Sequence, residues 1–492
     1  MEEQKYSCHS LGDVVNQRSL LDDRIKLTDI ARRYDGKLLL AEEYDLPREV
    51  FLQLVELQIL SPVIPIRKTF FTTKCMRCHN GKKYLFATID CARCQKRHLY
   101  CRNCIHMGRV MECTPLYEWT GESIVWPNYE KPCSWEGELT PTQHKAAMRM
   151  QEATIQNQTI LTWAVTGSGK TEMLFPSIEV ALKAGKRICI ASPRADVVRE
   201  LLPRLRQAFS KISIQGLYGG SRDKEGSAQL IIATTHQLFR FKHAFDLLII
   251  DEVDAFPYHQ DVSLQLAAER AKKLNSSLIF LTATPREEQR KQMAKKQLTY
   301  VFVPLRYHQQ LLPIPKFQQA KPLEKCLTQQ TLPKQFIHWL QNRQVPSRQL
   351  LIFVPTVQQT HQLQKLLQRT YALALSENIY IESVHAEDSN REKKIVDFRK
   401  RLIHVLITTT ILERGVTFPA IDVVVLDAHH QVFDEAALVQ ISGRAGRSKE
   451  DPTGEIMFFH NGKTNSMVKA KEDMMEMNNR ALSHKEGGVV NG

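Results

Sequence analysis

One short stretch limits the possible folds more than any other part of this sequence. Residues 164–171 read AVTGSGKT and follow an apolar run, Thr159 to Ala164, that is typical of a buried strand. A helical pattern follows over 172–184 and ends at Gly185. Strand, glycine-rich turn, Lys-Thr and helix in this order predict a phosphate-binding loop. Its residues are Thr166, Gly167, Ser168, Gly169, Lys170 and Thr171.

The residue types in this loop suit a nucleoside triphosphate. Glycines let backbone N–H groups turn toward an anion, and a helix N-terminus adds favourable partial charge. Lys170 is expected to reach the β and γ phosphates, and the Thr171 hydroxyl to bind Mg²⁺. The first glycine of the usual G-x-x-x-x-G-K-[ST] pattern is Ala164 here, so one position departs from it. The alternative, a glycine-rich turn that binds nothing, is disfavoured by the flanking strand and helix.

Predicted strands and helices alternate after the loop, and the strands end in polar residues. This pattern predicts an α/β fold with a parallel sheet, which binds ligands at the carboxyl ends of its strands. Asp251 follows the apolar strand predicted over 245–250 and suits Mg²⁺ ligation, while Glu252 suits the base that orients water. The alternative for this acidic pair is a helix cap. Gln143, ahead of the loop, carries an amide that suits the edge of adenine.

A second alternating unit begins near residue 332 and contains no second phosphate loop. Residues 440–447 read QISGRAGR, and we predict that they lie on a helix. Arg444 and Arg447 are three residues apart and would then share a helix face. Planar guanidinium groups bind oxyanions in bidentate fashion, so two arginines aimed at one place suit a γ-phosphate. The alternative is an exposed basic helix. Gln440 is grouped with these arginines as a candidate catalytic residue.

Six of the eleven cysteines form three CxxC pairs within thirty residues. The pairs are Cys75 with Cys78, Cys91 with Cys94, and Cys101 with Cys104. Two such pairs make a tetrahedral thiolate site that favours zinc in a structural role. The first pair could combine with either of the others. A second ion could recruit His79, His98, His106 or Cys113. The alternative is a small core of free cysteines.

The overall charge and the ends of the chain narrow the class of protein. A net charge of +14 suggests a polyanionic partner, either nucleic acid or an anionic membrane surface. No apolar run approaches the roughly 18–20 residues that span a bilayer, and no signal peptide is recognisable. The odd number of cysteines argues against a disulfide framework and for a reducing compartment. We therefore expect a cytoplasmic protein.

These patterns divide the chain into six predicted segments. They are an N-terminal α+β module (1–70), a cysteine module that binds zinc (71–115), a connector (116–138), an ATP-binding lobe (139–305), a second lobe (306–463) and a C-terminal tail (464–492). For the tail we expect one helix and then disorder after Gly487.

The motifs GSGKT, DEVD, TAT and QISGRAGR, in this order, resemble the superfamily 2 helicase and translocase core over about residues 139–463. The resemblance implies two tandem RecA-like lobes with ATP between them. Ala164 is compatible with it, because Ala-x-x-Gly-x-Gly-Lys-Thr is common in such cores. It implies that Gln143 reads adenine, that Gly415 contacts the nucleotide, and that Arg444 and Arg447 act as arginine fingers. Thr282 and Thr284 would couple hydrolysis to movement. The residues implied to face a nucleic-acid backbone are Arg194, Gly219, Gly220, Thr234, Thr235, Thr356 and Thr408.

A narrower resemblance rests on the cysteine module directly before the core and on two strings, CRNCIHMGRV at 101–110 and DEVDAFP at 251–257. These are similar to the ComFA family of late competence ATPases. That family implies an ATP-driven motor on single-stranded DNA that takes up transforming DNA, with competence proteins and a membrane DNA channel as partners. It also implies a peripheral position at the inner face of the cell membrane. The alternatives are a PriA-like replication-restart helicase and a zinc scaffold that senses nucleotide without turnover.

Overall fold

The computed structural model describes residues 24–223, 226–374 and 379–485, which form two compact units. The first unit contains the described residues up to Gly137, together with Met150–Ile160 and Phe175–Phe280. The second unit contains Glu138–Arg149, Leu161–Leu174 and the described residues from Leu281 onward.

The first unit begins with a small α+β module. Its elements are α1 (Arg24–Tyr34), β1 (Leu38–Leu40), α2 (Arg48–Glu56), β2 (Leu60–Val63), β3 (Ile66–Lys68), β4 (Thr73–Cys75), β5 (Phe86–Asp90), β6 (Arg97–Cys101) and β7 (Leu116–Trp119). β7 lies between β1 and β2 and pairs antiparallel with both. The predicted connector over 116–138 therefore starts with the central strand of this sheet.

An aromatic core holds the helices of this module on the sheet. The rings of Tyr34 and Tyr44 lie 4.6 Å apart, and Phe51 meets Tyr117 of β7 edge to face at 5.0 Å. Leu54 of α2 is fully buried beside them. This burial explains why β7 is needed to complete the module.

Two antiparallel hairpins, β3–β4 and β5–β6, follow and carry cysteines at their ends. Cys75 ends β4, and Cys101 ends β6. Cys91 and Cys94 lie in the turn that joins β5 to β6. The cysteine pairs thus lie at the turns and ends of short hairpins.

The next part of the chain alternates helices and strands. Its elements are α3 (Pro141–Ile155), β8 (Thr159–Ala164), α4 (Lys170–Met173), α5 (Phe175–Lys183), β9 (Ile188–Ser192), α6 (Ala195–Ala208), β10 (Ile214–Leu217), β11 (Leu230–Thr234), β12 (Phe245–Asp251), α7 (Val262–Ala271), β13 (Lys272–Thr282), α8 (Glu287–Ala294) and β14 (Thr299–Val303). The sheet has the order β10-β11-β9-β12-β13-β8-β14. β10, β11, β9 and β12 pair in parallel, and all five residues of β9 are buried.

A second sheet is built from the C-terminal part of the chain. The elements are β15 (Lys316–Gln319), α9 (Leu323–Thr328), α10 (Lys334–Gln341), β16 (Gln349–Phe353), α11 (Val357–Ala374), β17 (Ile381–Val384), α12 (Arg391–Arg399), β18 (Val405–Thr408), β19 (Ile421–Val425), α13 (Glu435–Ser442), β20 (Ile456–His460) and α14 (Asn465–Lys485). The order is β15-β20-β19-β16-β18-β17, and every neighbouring pair is parallel. The predicted α/β class with two parallel sheets is confirmed.

The C-terminal tail is a packed element. α14 buries Met467, Ala470, Met474, Met477 and Ala481, and Asn478 exchanges hydrogen bonds with the backbone of Leu312 at 2.8 and 2.9 Å. The predicted helix is present, and the disorder predicted after Gly487 lies outside the described residues. Among the helices of the described ranges, none has the length and apolar character needed to cross a bilayer.

Candidate active site and cysteine clusters

The predicted phosphate loop joins β8 to α4. Gly167 and Gly169 take positive φ angles of 77° and 74°, which other residues adopt only with strain. Gly169 also lies against Gln143, because an added Cβ would come within 2.5 Å of the Gln143 Nε2 atom. α4 begins directly after it at Lys170. The loop has the backbone turn that phosphate binding requires.

Gln143 is buried under this loop. Its Nε2 atom donates to the carbonyl of Ser168 at 2.7 Å, and its Oε1 atom accepts from the Thr140 N–H at 2.8 Å. In this structure the amide therefore supports the loop. Its predicted reading of adenine stays a prediction.

The segment Gly443–Arg447 meets the phosphate loop. An added Cβ on Gly443 would lie 2.1 Å from the Thr166 Oγ1 atom, so only glycine allows this approach. Arg447 Nε donates to the Gly443 carbonyl at 2.8 Å, and Arg444 Nε donates to the Glu413 carbonyl at 3.0 Å. Arg444 and Gln440 are buried.

One prediction for this segment is wrong. The helix that carries Gln440 ends at Ser442, so Arg444 and Arg447 do not share a helix face. Gly446 takes a φ of 63°, a left-handed conformation that a continuing helix cannot contain. The two arginines lie in a turn that follows α13.

Arg306 is a site residue that the sequence did not reveal. It is 1% exposed and donates to the carbonyls of Ala445, at 2.9 Å, and Gly446. The next residue, Tyr307, donates its N–H to the Gly167 carbonyl at 2.9 Å. Burial, with the nearby charge of Arg447, lowers the pKa of Arg306 to about 9. A lone arginine after the apolar run 301–305 was the only signal available.

The acidic pair lies at the end of β12, as predicted. Asp251 is the last residue of the strand, and its Oδ1 atom accepts from the Glu252 N–H at 2.9 Å. Glu252 has a φ of 56°, which is strained for a residue with a side chain. Strain of this kind persists where the surrounding structure enforces it, and functional sites are enriched in it.

Thr282 and Thr284 are both buried at the end of β13. The Thr284 N–H donates to the Thr282 Oγ1 atom at 3.0 Å, and Trp163 of β8 donates to the Ala283 carbonyl between them at 3.1 Å. Gly415 has a φ of 69° and lies next to the buried pair Glu413 and Arg414.

The predicted nucleic-acid contacts group at strand ends. Arg194 follows β9, Gly219 and Gly220 follow β10, and Thr234 ends β11. These three strands are parallel neighbours, so their carboxyl ends lie at one sheet edge. No atom lies within 4 Å of a Cβ built on either glycine among the described residues, so the backbone there is open.

The three remaining threonines behave differently. Thr356 follows β16 and caps α11, accepting from the Gln359 N–H at 3.3 Å. Thr408 ends β18, the parallel neighbour of β16. The hydroxyls of Thr408 and Thr235 are buried without a hydrogen-bond partner among the described residues. Their predicted contact with a nucleic acid stays a prediction.

The cysteines form two groups, and the first of them matches one of the two predicted pairings. The Sγ atoms of Cys75, Cys78, Cys101 and Cys104 all lie within 4.8 Å of one another and are buried. Cys91 and Cys94 lie in a second group, with Cys113. None of the described cysteines is in a disulfide.

The four-cysteine group has the dimensions of a zinc site. Cys75 and Cys104 are 3.8 Å apart at sulfur, and Cys78 and Cys101 are 3.5 Å apart. A tetrahedron with zinc–sulfur bonds of about 2.3 Å has edges of about 3.8 Å. Hydrogen bonds from the neighbouring thiols hold the pKa of Cys101 well below its usual range. Arg270 of α7 supports the first cysteine turn by donating to the Met76 carbonyl at 3.1 Å.

Three family models match the chain in succession. They are the competence protein ComFA N-terminal domain over residues 8–118, the res subunit of type III restriction enzymes over 136–287, and the helicase conserved C-terminal domain over 330–449. The order agrees with that of the cysteine module and the two parallel sheets.

Among solved structures, the DEAD-box helicase Mss116 bound to single-stranded RNA superposes with a TM-score of 0.52 at 16% identity. The match covers 70% of this chain and 80% of that chain. Helicase Lhr of Mycobacterium smegmatis gives 0.51 over 69% of this chain and 48% of that chain, at 16% identity. These likenesses establish the fold, two RecA-like parallel sheets.

Whole-chain relatives decide the family. The chain is 44% identical to competence protein ComFA of Bacillus subtilis over 83% of this chain and 86% of that protein. It is 38% identical to ComFA of Streptococcus pneumoniae over 82% of this chain and 93% of that protein. Replication restart protein PriA of Haemophilus influenzae is 28% identical over only 31% of this chain and 25% of that protein, so the PriA-like alternative is distant. The chain belongs to the ComFA family of competence proteins.

Proposed function

We propose that this protein is an ATP-driven motor that moves along single-stranded DNA and drives the uptake of transforming DNA during competence. The observation that carries the proposal is the contact between the phosphate loop and the arginine segment. Thr166 touches Gly443, and Arg306 binds the carbonyls of that same segment. A nucleotide on the loop would therefore be sensed by Arg444 and Arg447, which suits coupling of hydrolysis to movement.

Each residue at the site has a proposed part in ATP hydrolysis. Lys170 would neutralise the β and γ phosphates, and Thr171 with Asp251 would hold Mg²⁺, which stabilises developing phosphate charge. Glu252 would orient the attacking water. Gln143 and Gly415 would contact the nucleotide. Thr282 and Thr284, hydrogen-bonded to each other, would relay the change at the γ-phosphate to the sheet.

The two sheet edges provide the proposed track for DNA. Arg194, Gly219, Gly220 and Thr234 lie at one edge of the first sheet, and Thr356 and Thr408 lie at the ends of neighbouring strands of the second. Open glycine backbone and threonine N–H groups suit phosphate oxygens, which carry no sequence information. If the contacts from the first sheet and those from the second bind the strand alternately during the ATP cycle, the strand moves in one direction with low sequence specificity.

The four-cysteine group is proposed to hold one structural zinc ion. All four ligands are thiolates, so no position is open for catalysis. The ion would fasten the ends of β4 and β6 together. Competence proteins and the membrane channel that admits the strand are the proposed partners, which would place the protein at the inner face of the membrane.

The proposal is tested by the DNA-stimulated ATPase rate of three variants. Lys170→Ala and Glu252→Gln should abolish turnover, and Arg444→Ala should leave ATP binding while slowing hydrolysis by about 10³-fold. Arg369→Ala is the matched control, because Arg369 is exposed on α11. A Glu252→Gln variant with the wild-type rate would overturn the catalytic assignment.

The same preparations separate the alternatives. Robust unwinding of forked duplex DNA would favour a PriA-like activity. Tight ATP binding without turnover on single-stranded DNA, duplex DNA or RNA would favour a zinc scaffold that only senses nucleotide.

A further inference from the structure

We propose that the cysteine module holds a second metal ion, bound by Cys91, Cys94, Cys113 and His98. This site is distinct from the four-cysteine site and independent of the motor function. It uses two ligands, Cys113 and His98, that lie outside the three CxxC pairs.

The backbone around Cys91 repeats the turn around Cys75. In the four-cysteine site, the Cys75 N–H donates to the Asn80 carbonyl at 3.0 Å, and the His79 N–H donates to the Cys75 carbonyl at 2.9 Å. In the second turn, the Cys91 N–H donates to the Lys96 carbonyl and the Gln95 N–H to the Cys91 carbonyl, both at 2.9 Å.

The two turns also share a left-handed residue. His79 has a φ of 60°, and Gln95, at the equivalent position, has a φ of 56°. This conformation is uncommon for a residue with a side chain, so its occurrence at the same position indicates that the two turns are alike. Since the first turn presents two thiolates to one ion, the second presents Cys91 and Cys94 in the same way.

Cys113 supplies the third sulfur. Its Sγ atom lies 3.6 Å from that of Cys91, and the three sulfurs lie within 4.8 Å of one another. A disulfide would need a sulfur–sulfur distance of about 2.05 Å, whereas ligands of one zinc ion lie about 3.8 Å apart. The spacing is that of ligands around an ion.

The chain brings Cys113 to this place by a backbone pairing. Met111 forms an isolated β-bridge with Tyr100 of β6, and the Glu112 N–H donates to the Leu99 carbonyl at 3.0 Å. Cys113 follows directly and therefore lies beside the start of β6, where His98 is located.

His98 lies beside the three sulfurs, next to Cys94, and is the fourth ligand that we propose. Its Nε2 atom is 3.1 Å from the Cys94 sulfur, and its Nδ1 atom faces Glu112 Oε2 at 3.9 Å. Glu112 is itself held, because the same oxygen accepts from the Leu99 N–H at 2.6 Å. A carboxylate behind the second ring nitrogen is the usual arrangement for a histidine that binds a metal.

Three thiolates and one imidazole in a tetrahedron favour zinc. An isolated two-stranded hairpin is at best marginally stable in water. The ion would cross-link the turn of the β5–β6 hairpin to the segment that returns to β7, so its role would be structural.

The test is the zinc content of the purified full-length protein after dialysis against a mild chelator. Wild type should retain two zinc ions per chain, and Cys113→Ser should retain one. Cys133→Ser is the control, since Cys133 belongs to neither group, and it should retain two. One ion in wild type, or two in Cys113→Ser, would overturn the proposal.

Substitutions of His98 test the same site in case Cys113→Ser does not fold. His98→Cys replaces imidazole by thiolate and should keep two ions, whereas His98→Ala should lose the second. With cobalt in place of zinc, the His98→Cys change should alter the absorption of one site only. A Cys91–Cys113 disulfide in the wild-type protein, found by mass spectrometry without reductant, would contradict metal binding. None of these readouts depends on ATPase activity.

Discussion

Arg306 is buried where the phosphate loop and the arginine segment meet. Replacing it by alanine would leave the carbonyls of Ala445 and Gly446 without their donor. Each buried unsatisfied group costs about 1–3 kcal/mol. We expect Arg306→Ala to lower the free energy of unfolding by that order and the ATPase rate at least tenfold. Thermal unfolding and ATPase assays check this, with Arg369→Ala as the control; an unchanged rate would exclude a role at the site.

A substitution at Gly443 tests the contact between the arginine segment and Thr166 of the phosphate loop. An added methyl group would lie 2.1 Å from Thr166 Oγ1 and 2.5 Å from its Cβ, so no rotation of the threonine side chain relieves the clash. Gly443→Ala should therefore keep ATP binding but reduce hydrolysis at least tenfold, because the arginine segment cannot approach the loop. Gly81→Ala is the control, because a Cβ there would meet, among the described residues, a single atom at 3.8 Å. Wild-type turnover by Gly443→Ala would contradict the assignment.

Residues with a local signature could be predicted, and those defined by distant contacts could not. The loop glycines, Asp251 at a strand end and the CxxC pairs each have a pattern within a few positions. Arg306 acts through Ala445 and Gly446, nearly 140 residues away, so no local pattern marks it. The division of the cysteines into two groups also depends on distant contacts, because it is set by how the β3–β4 and β5–β6 hairpins and Cys113 come together.

Among the elements, α14 is hard to recognise from the sequence as part of a packed core. Its apolar residues are mostly methionine and alanine, whose spacing among many charged residues gives a weak signal. Met474 is 1% exposed, while the adjacent Met475 is 47% exposed. Met474→Lys should lower the free energy of unfolding by about 2–5 kcal/mol, through lost packing and a buried charge.

Met475→Lys is the matched control and should change stability by less than about 0.5 kcal/mol. Urea unfolding of both variants checks the prediction. Equal stability of the two would mean that α14 does not pack as described.

Tertiary contacts also set the ends of other elements. α2 ends at Glu56 because Gln58 takes a φ of 57° and Leu60 enters β2. α13 ends before its arginines because Gly446 is left-handed. β7 lies in the segment that the sequence predicts as a connector, since its role depends on pairing with β1 and β2, which lie more than fifty residues earlier.

For the molecule as a whole, the two parallel sheets were predictable because their strands are apolar runs that end in polar motifs.

The proposed DNA track at the edges of the two sheets predicts how DNA binding depends on salt concentration. If four phosphates are contacted, affinity for single-stranded DNA should fall roughly 50-fold between about 50 and about 200 mM salt. Arg194→Ala should reduce the slope of log affinity against log salt by about 0.7, and Arg369→Ala should not. Affinity that does not change with salt would rule out contacts dominated by phosphates.

The proposed function requires that bound single-stranded DNA increase the rate of ATP hydrolysis at the phosphate loop. The most direct measurement is the ATPase rate of the purified full-length protein as single-stranded DNA is added. For a motor driven by the phosphate loop, the rate should rise with DNA and saturate, and it should stay at background in Lys170→Ala. A rate that is the same with and without any polynucleotide would contradict the proposed function.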